Sequence, residues 1–186
     1  PPPPPMTAIN KSLPKIRKRK SHHRALPYAQ VPRFMKMLRE RESIGRIAFE
    51  FLILTAARSG EVRGALWSEF DLEKRTWTIP AARMKADQEH IVPLADAALA
   101  VLKKAKGHKQ KDNNLVFPGT RHAKPMSDMM LTKICRDAEV DAVPHGFRSS
   151  FRDWVSAETD FDGNIRFADG RGAVPHALGC TPARAR

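Results

Sequence analysis

The run SIGRIAFEFLILTAARSG, from Ser43 to Gly60, leaves this chain the fewest options. Ile44, Ile47, Ala48, Phe51, Leu52 and Leu54 occupy nearly the whole circumference of a helix. A helix that is apolar all round has to be enclosed by other elements, so this one is predicted to lie at the centre. Ser43 suits the N-cap, where a side-chain oxygen accepts from a first-turn amide, and Gly60 is the expected stop or turn after Arg58. The 186 residues suffice for one core of ordinary size around such a helix.

The neighbours follow from periodicity. Order is expected to begin near LPYAQVPRFMKMLRERES, where Val31, Phe34, Met35 and Leu38 recur at helical spacing. A short helix is predicted through GEVRGALW, with Ser59 available as its cap. The pattern then changes. TWTI and HIVPL have strand character and flank a polar tip at Ala86 to Glu89, which reads as a hairpin near Lys85. Helical spacing returns in DAALAVLKKAK, LVFPG is a short buried segment, and SDMMLTKICRDAEV is a helix capped by Ser127 with Met130, Leu131 and Ile134 inward. The fold class is therefore mainly α (α+β): helices, a small antiparallel sheet, then helices.

Charge narrows the partners. Lys plus Arg number 33 against 20 Asp plus Glu, a net charge of +13, and such a field attracts polyanions, nucleic acid foremost. Between Pro1 and Arg24 there is no acidic residue, while Lys11, Lys15, Arg17, Lys18, Arg19, Lys20 and Arg24 are basic, so residues 1–25 read as a disordered basic arm or linker. The two cysteines, Cys135 and Cys180, form no CxxC and no regular spacing with histidine, which suggests neither a disulfide framework nor a metal site. With no apolar leader and no membrane-length apolar run, a soluble cytoplasmic protein in a reducing compartment is expected.

PHGFRSSFRDW, Pro144 to Trp154, reads as the start of a helix, Pro being favourable at that position. At about 100° per residue His145, Arg148 and Arg152 share one side and Phe147, Phe151 and Trp154 the other. One face is cationic and the other faces the core. A lone HxxR of this kind also fits an ordinary solvated surface.

HxxR here follows TAARSGEV and RMKADQEHIVPL in that order, and together the three resemble the catalytic domain of tyrosine recombinases, most closely the integrases of prophages and genomic islands. The likeness runs from about Leu26 to about Phe161. It implies a helical DNA breaking-rejoining domain with a small sheet, acting in DNA integration and site-specific recombination. It also implies the site residues. The first catalytic arginine maps to Arg58, a hairpin lysine to Lys85, and the HGFR pair to His145 and Arg148; Glu61 matches a supporting acid, and His176, in HALG, resembles the second histidine motif. Taken singly, Arg58 could complement a helix end, Lys85 could be a solvated lysine and Glu61 a first-turn carboxylate.

The chemistry accounts for those residue types. In-line attack on a phosphodiester builds negative charge on the nonbridging oxygens, and two guanidiniums that keep their protons, Arg58 and Arg148, can clamp it. Lys85 is a suitable proton donor to the leaving 5′ oxygen, and His145 can exchange a proton with the attacking group or contact the phosphate. No metal or other cofactor is required. The expected partners are double-stranded DNA and intact integrase protomers, with no membrane.

Departures from the family pattern qualify the activity. The family's nucleophile is a tyrosine near the C-terminus, whereas the single tyrosine here is Tyr28, in the part resembling a domain linker. Residues 162–186 hold four of the ten glycines with Pro175 and Pro182, lack helical periodicity, and read as an aberrant, poorly ordered tail produced by a frameshift after about Asp162. The expected organisation is an arm at 1–25, a catalytic domain at 26–161 and that tail. On this basis the domain is expected to be unable to cleave alone. The alternatives are a non-catalytic basic DNA-binding remnant, or a partner relying on a tyrosine supplied in trans.

Overall fold

The computed structural model describes residues 23–84, 87–121 and 123–159. The expected arm up to residue 22, Lys85, the tail and His176 lie outside the described residues. After a 3-10 turn at Tyr28–Gln30 come α1 (Val31–Arg39), α2 (Ile44–Thr55) and α3 (Ser59–Arg63). Then follow β1 (Phe70–Asp71), β2 (Thr76–Ile79), β3 (His90–Pro93), α4 (Asp96–Lys106), α5 (Asp128–Asp137), a 3-10 turn at Pro144–Gly146 and α6 (Phe147–Glu158). No helix among the described residues is long and apolar enough to cross a membrane.

α2 is the central helix that its composition requires, and it touches α1, α3, α4, α5 and α6. Two positions explain how it serves both halves of the domain. Phe49 and Phe51 are both fully buried, and two residues at about 100° each set them on nearly opposite sides of the helix. Phe49 meets Phe34 of α1 at 5.2 Å and Phe147 of α6 at 5.1 Å, both edge-to-face. Phe51 meets Trp77 of β2 at 5.5 Å and Phe117 at 5.4 Å. Burying each phenyl contributes about 2–3 kcal/mol, so both clusters hold the helix firmly in rotation. The buried carboxylate on α2, Glu50, is paired by Arg39 of α1 at 2.7 Å.

The sheet is antiparallel in the order β1-β2-β3, with Trp77 opposite Val92 and Ile79 opposite His90. TWTI and most of HIVPL are thus strands as expected, and the two-residue β1, too short for a periodic signal, extends them. Trp77, Ile79 and Val92 face the core, so His90 shares their side of the sheet.

Two boundaries differ from expectation. The long helix ends at Thr55, five residues before Gly60, because Ala56 adopts the left-handed conformation (φ 49°) usually left to glycine. Gly60 lies inside α3. Likewise Ser59 is the first residue of α3, its hydroxyl donating to Asp128 at 2.9 Å, and Arg58 stands at the N-cap. Ser43 does cap α2, accepting from the Arg46 amide at 3.3 Å, whereas Ser127 occupies its N-cap position without a side-chain bond.

Candidate functional site

The site forms where α2 stops and α3 starts. The Glu61 carboxylate accepts from the Arg58 backbone amide at 2.8 Å and from its Nη1 at 2.6 Å. One carboxylate therefore satisfies an orphan amide of the helix start and orients the guanidinium. Glu61 keeps only 6% of its side-chain exposure while Arg58 keeps 28%, so the acid is enclosed and the cation faces outward.

Arg148 arrives from the other end of the sequence. Its neighbour Phe147 is locked between Phe34 and Phe49, and that fixes the rotation of α6. The next residue, about 100° further round, is thereby aimed at the α2–α3 junction. There its Nη1 donates to the Ala56 carbonyl, left without an intrahelical partner by the left-handed turn. Burial, and then the nearby charge of Arg58, push the Arg148 guanidinium down to about 10, opposed by Glu61. It remains a cation at neutral pH.

His145 is exposed on the 3-10 turn before α6, and His90 is half-buried on β3. Burial, the His23 ring, Arg148 and Arg58 lower the affinity of His145 for a proton, and Glu61 opposes them. Burial lowers that of His90 too; Glu61 opposes, and Arg148 and Arg58 add to the lowering. Both imidazoles thus feel the same three charges, and both are neutral at neutral pH. The arrangement is two fixed cations, one enclosed anion and two neutral imidazoles, suited to receiving an anionic tetrahedral group and passing protons.

A further arginine ties the sheet to this junction. Arg83, on the 3-10 turn Ala81–Arg83 that follows β2, pairs with Glu69 and donates through Nη2 to the Glu61 carbonyl at 2.5 Å. Glu69, 7% exposed in its side chain, also accepts from Trp77 Nε1 at 3.0 Å. Removing Arg83 leaves that carboxylate enclosed without its cation, held among the described residues only by the Trp77 indole and the Leu66 amide. Arg83→Ala is expected to cost about 3 kcal/mol, measured as a lowered urea midpoint, and Arg83→Lys to recover only part, since a lysine cannot serve both acceptors in the fork geometry.

Of the residues named from sequence, Arg58, Glu61, His145 and Arg148 are brought together; Lys85 and His176 lie outside the described residues. Arg152 is exposed one turn beyond Arg148 on α6, and His145 precedes the helix proper, because the segment opens with a 3-10 turn. Tyr28 is remote: its hydroxyl donates to Glu158 at 3.0 Å, at the far end of α6 from Arg148. That bond raises its pKa and so disfavours the phenolate. Cys135 is buried, which pushes its thiol up to about 11 and makes it a poor nucleophile. Among the described residues no group of three His, Cys, Asp or Glu side chains could hold a metal ion.

The sequence profile of the phage integrase family matches residues 24–159. The chain is 36% identical over 150 residues to the integrase of Enterobacteria phage P4, covering 70% of this chain and 34% of that protein. It is 33% identical over 137 residues to the prophage integrase IntZ of Escherichia coli K12, covering 72% and 34%. The chain thus spans about a third of the length of these curated relatives. Among solved structures, XerA recombinase superposes with a TM-score of 0.59 at 20% identity, covering 81% of this chain and 56% of that one. A lambda integrase tetramer bound to a Holliday junction gives 0.59 at 16% identity, covering 83% and 52%. Both show the fold.

Proposed function

The chain belongs to the phage integrase family, and from that premise we propose that its domain engages DNA phosphate as the catalytic domain of an integration and recombination protein. The observation that carries this reading is the convergence of Arg58 and Arg148, far apart in sequence, on one junction where Glu61 pairs with Arg58 and its charge reaches Arg148. A phosphodiester placed there meets two guanidiniums whose orientation is already fixed, and His145 stands beside them. Lys85 is the proton donor to the leaving oxygen in this reading, and His176 remains a proposed accessory. His90 enters as an imidazole that feels the same charges.

Strand cleavage by this chain alone is not part of the proposal. Its single tyrosine is held by Glu158, about ten helical residues from Arg148, or about 15 Å at the rise of an α-helix. Duplex DNA is the partner, and intact integrase protomers are a second, in keeping with the DNA-bound tetramer of the lambda integrase neighbour.

A fluorescence titration against duplex DNA tests the binding. If about four to six phosphates are neutralised, affinity falls steeply with salt, with a log-log slope of about −4 to −5. Affinity indifferent to salt would remove the phosphate-binding account. A nicked suicide duplex tests the cleavage: no covalent adduct is expected from the chain alone, and an adduct formed without added integrase would overturn that half of the reading.

A further inference from the structure

We propose that His23 belongs to the site as a positioning residue: its ring, packed edge-to-face on His145 and carried by a strap bonded to the start of α6, fixes how the His145 imidazole is presented beside the two guanidiniums. The inference rests on the phosphate-binding reading above and deepens it.

The geometry is specific. The two ring centroids are 4.5 Å apart with an interplanar angle of 67°. His145 is exposed on a single 3-10 turn, and the ring of His23 is exposed beside it. His23 directly precedes a stretch that is held in place. The Arg24 carbonyl accepts from the Val143 amide at 3.1 Å, and the Arg24 guanidinium pairs with Asp141 at 2.6 Å. Leu26 is buried, and its carbonyl accepts from the Ser150 hydroxyl on α6. The strap passes so close to Gly146 that a β-carbon there would overlap the Arg24 carbonyl, which accounts for glycine in HGFR beside the histidine.

Contact between two imidazoles has an electrical consequence as well as a steric one. The His23 ring lowers the proton affinity of His145, adding to the effect of burial and to the charges of Arg148 on α6 and Arg58 at the start of α3, while Glu61 on α3 acts the other way. Holding His145 neutral leaves a ring nitrogen able to accept a proton or a hydrogen bond. Holding its plane fixed removes an ordering cost that phosphate binding would otherwise meet.

The test uses the whole chain labelled with 15N-histidine, His145 being assigned through His145→Gln, together with anisotropy binding to a short blunt-ended duplex of mixed sequence. In His23→Ala the His145 titration is expected to move upward, its ring-current shift to vanish, and DNA affinity to fall about fivefold. In His23→Phe the titration still moves upward, because the like charge is gone, but affinity returns most of the way, because the ring is kept. If His145 titrates identically in His23→Ala, or if its titration moves while affinity in both variants matches the parent, His23 positions nothing and the inference is wrong. Arg148→Ala measured in parallel separates the two levels. Parental affinity in that variant removes the phosphate-binding reading itself, whereas weakened binding there with unchanged binding in His23→Ala removes only the role of His23.

Discussion

Arg148→Ala is expected to weaken binding to duplex DNA by about thirtyfold, about 2 kcal/mol, the loss of a charge-assisted bond to phosphate from an oriented guanidinium. The same guanidinium donates to the Ala56 carbonyl, so the substitution also removes a fold contact at the left-handed end of α2. Two measurements keep these effects apart. Thermal unfolding reports the fold contact, expected to cost about 1–2 kcal/mol, and anisotropy at a temperature where both proteins are folded reports the DNA contact. Arg148→Lys keeps the charge but cannot reach a phosphate and the Ala56 carbonyl in one fork, so little of the affinity should return. Lys18→Ala supplies the reference for a generic cation and should change binding slightly. Equal losses from Lys18→Ala and Arg148→Ala would mean that charge alone, and no assembled site, attracts the DNA.

Glu61→Ala is expected to be the most destabilising change at the site, at about 3–4 kcal/mol. Part of this, about 1 kcal/mol, is loss of the acceptor for the Arg58 amide at the start of α3, and the rest is loss of the anion that offsets both Arg58 and the more deeply buried Arg148. Glu61→Gln keeps the shape and an acceptor, so it should recover the first part and little of the second. Acid dependence gives a sharper signature. His145 and His90 both lie below the ordinary value of 6.5, so as pH falls below about 6.5 the unfolded chain takes up these protons first and stability declines. Glu61 is the charge that favours protonation of both rings. Without it their titrations move further down, and the decline extends to lower pH. A chemical-denaturation series across mildly acidic pH measures this, and parallel curves for parent and Glu61→Gln would show that the carboxylate does not act on the imidazoles.

Much of the scaffold is legible in the residues because it depends on repeating patterns. The all-round apolar character of Ser43–Gly60 places α2 at the centre, and the alternation in TWTI and HIVPL marks both longer strands. What escapes is set by contacts between distant residues. Ala56 takes a conformation that sequence rules reserve for glycine, at a buried position whose carbonyl is met by Arg148 from α6, so the helix ends before Gly60. Arg83 is one of 33 basic residues, and only the proximity of Glu69 and the Glu61 carbonyl distinguishes it from a solvated one. His90 did carry a signal: alternation in HIVPL puts it on the side of Val92, and a polar residue on the core side of a strand invites a question. His23 carried none, because its partner is reached only through the path of the strap.

The opposed phenyl rings of α2 bear on how the domain can move. Phe49 grips the helix that brings Arg148, and Phe51 grips the sheet that carries His90. A tilt or a quarter-turn of that one rod would drag Arg148 and the sheet together, in opposite senses, and loosen both aromatic seats at once. Adjustment of the junction therefore has to come from side chains and from segments outside those two seats, and a shrunken ring at either position should blur the placement of Arg148 and the sheet alike.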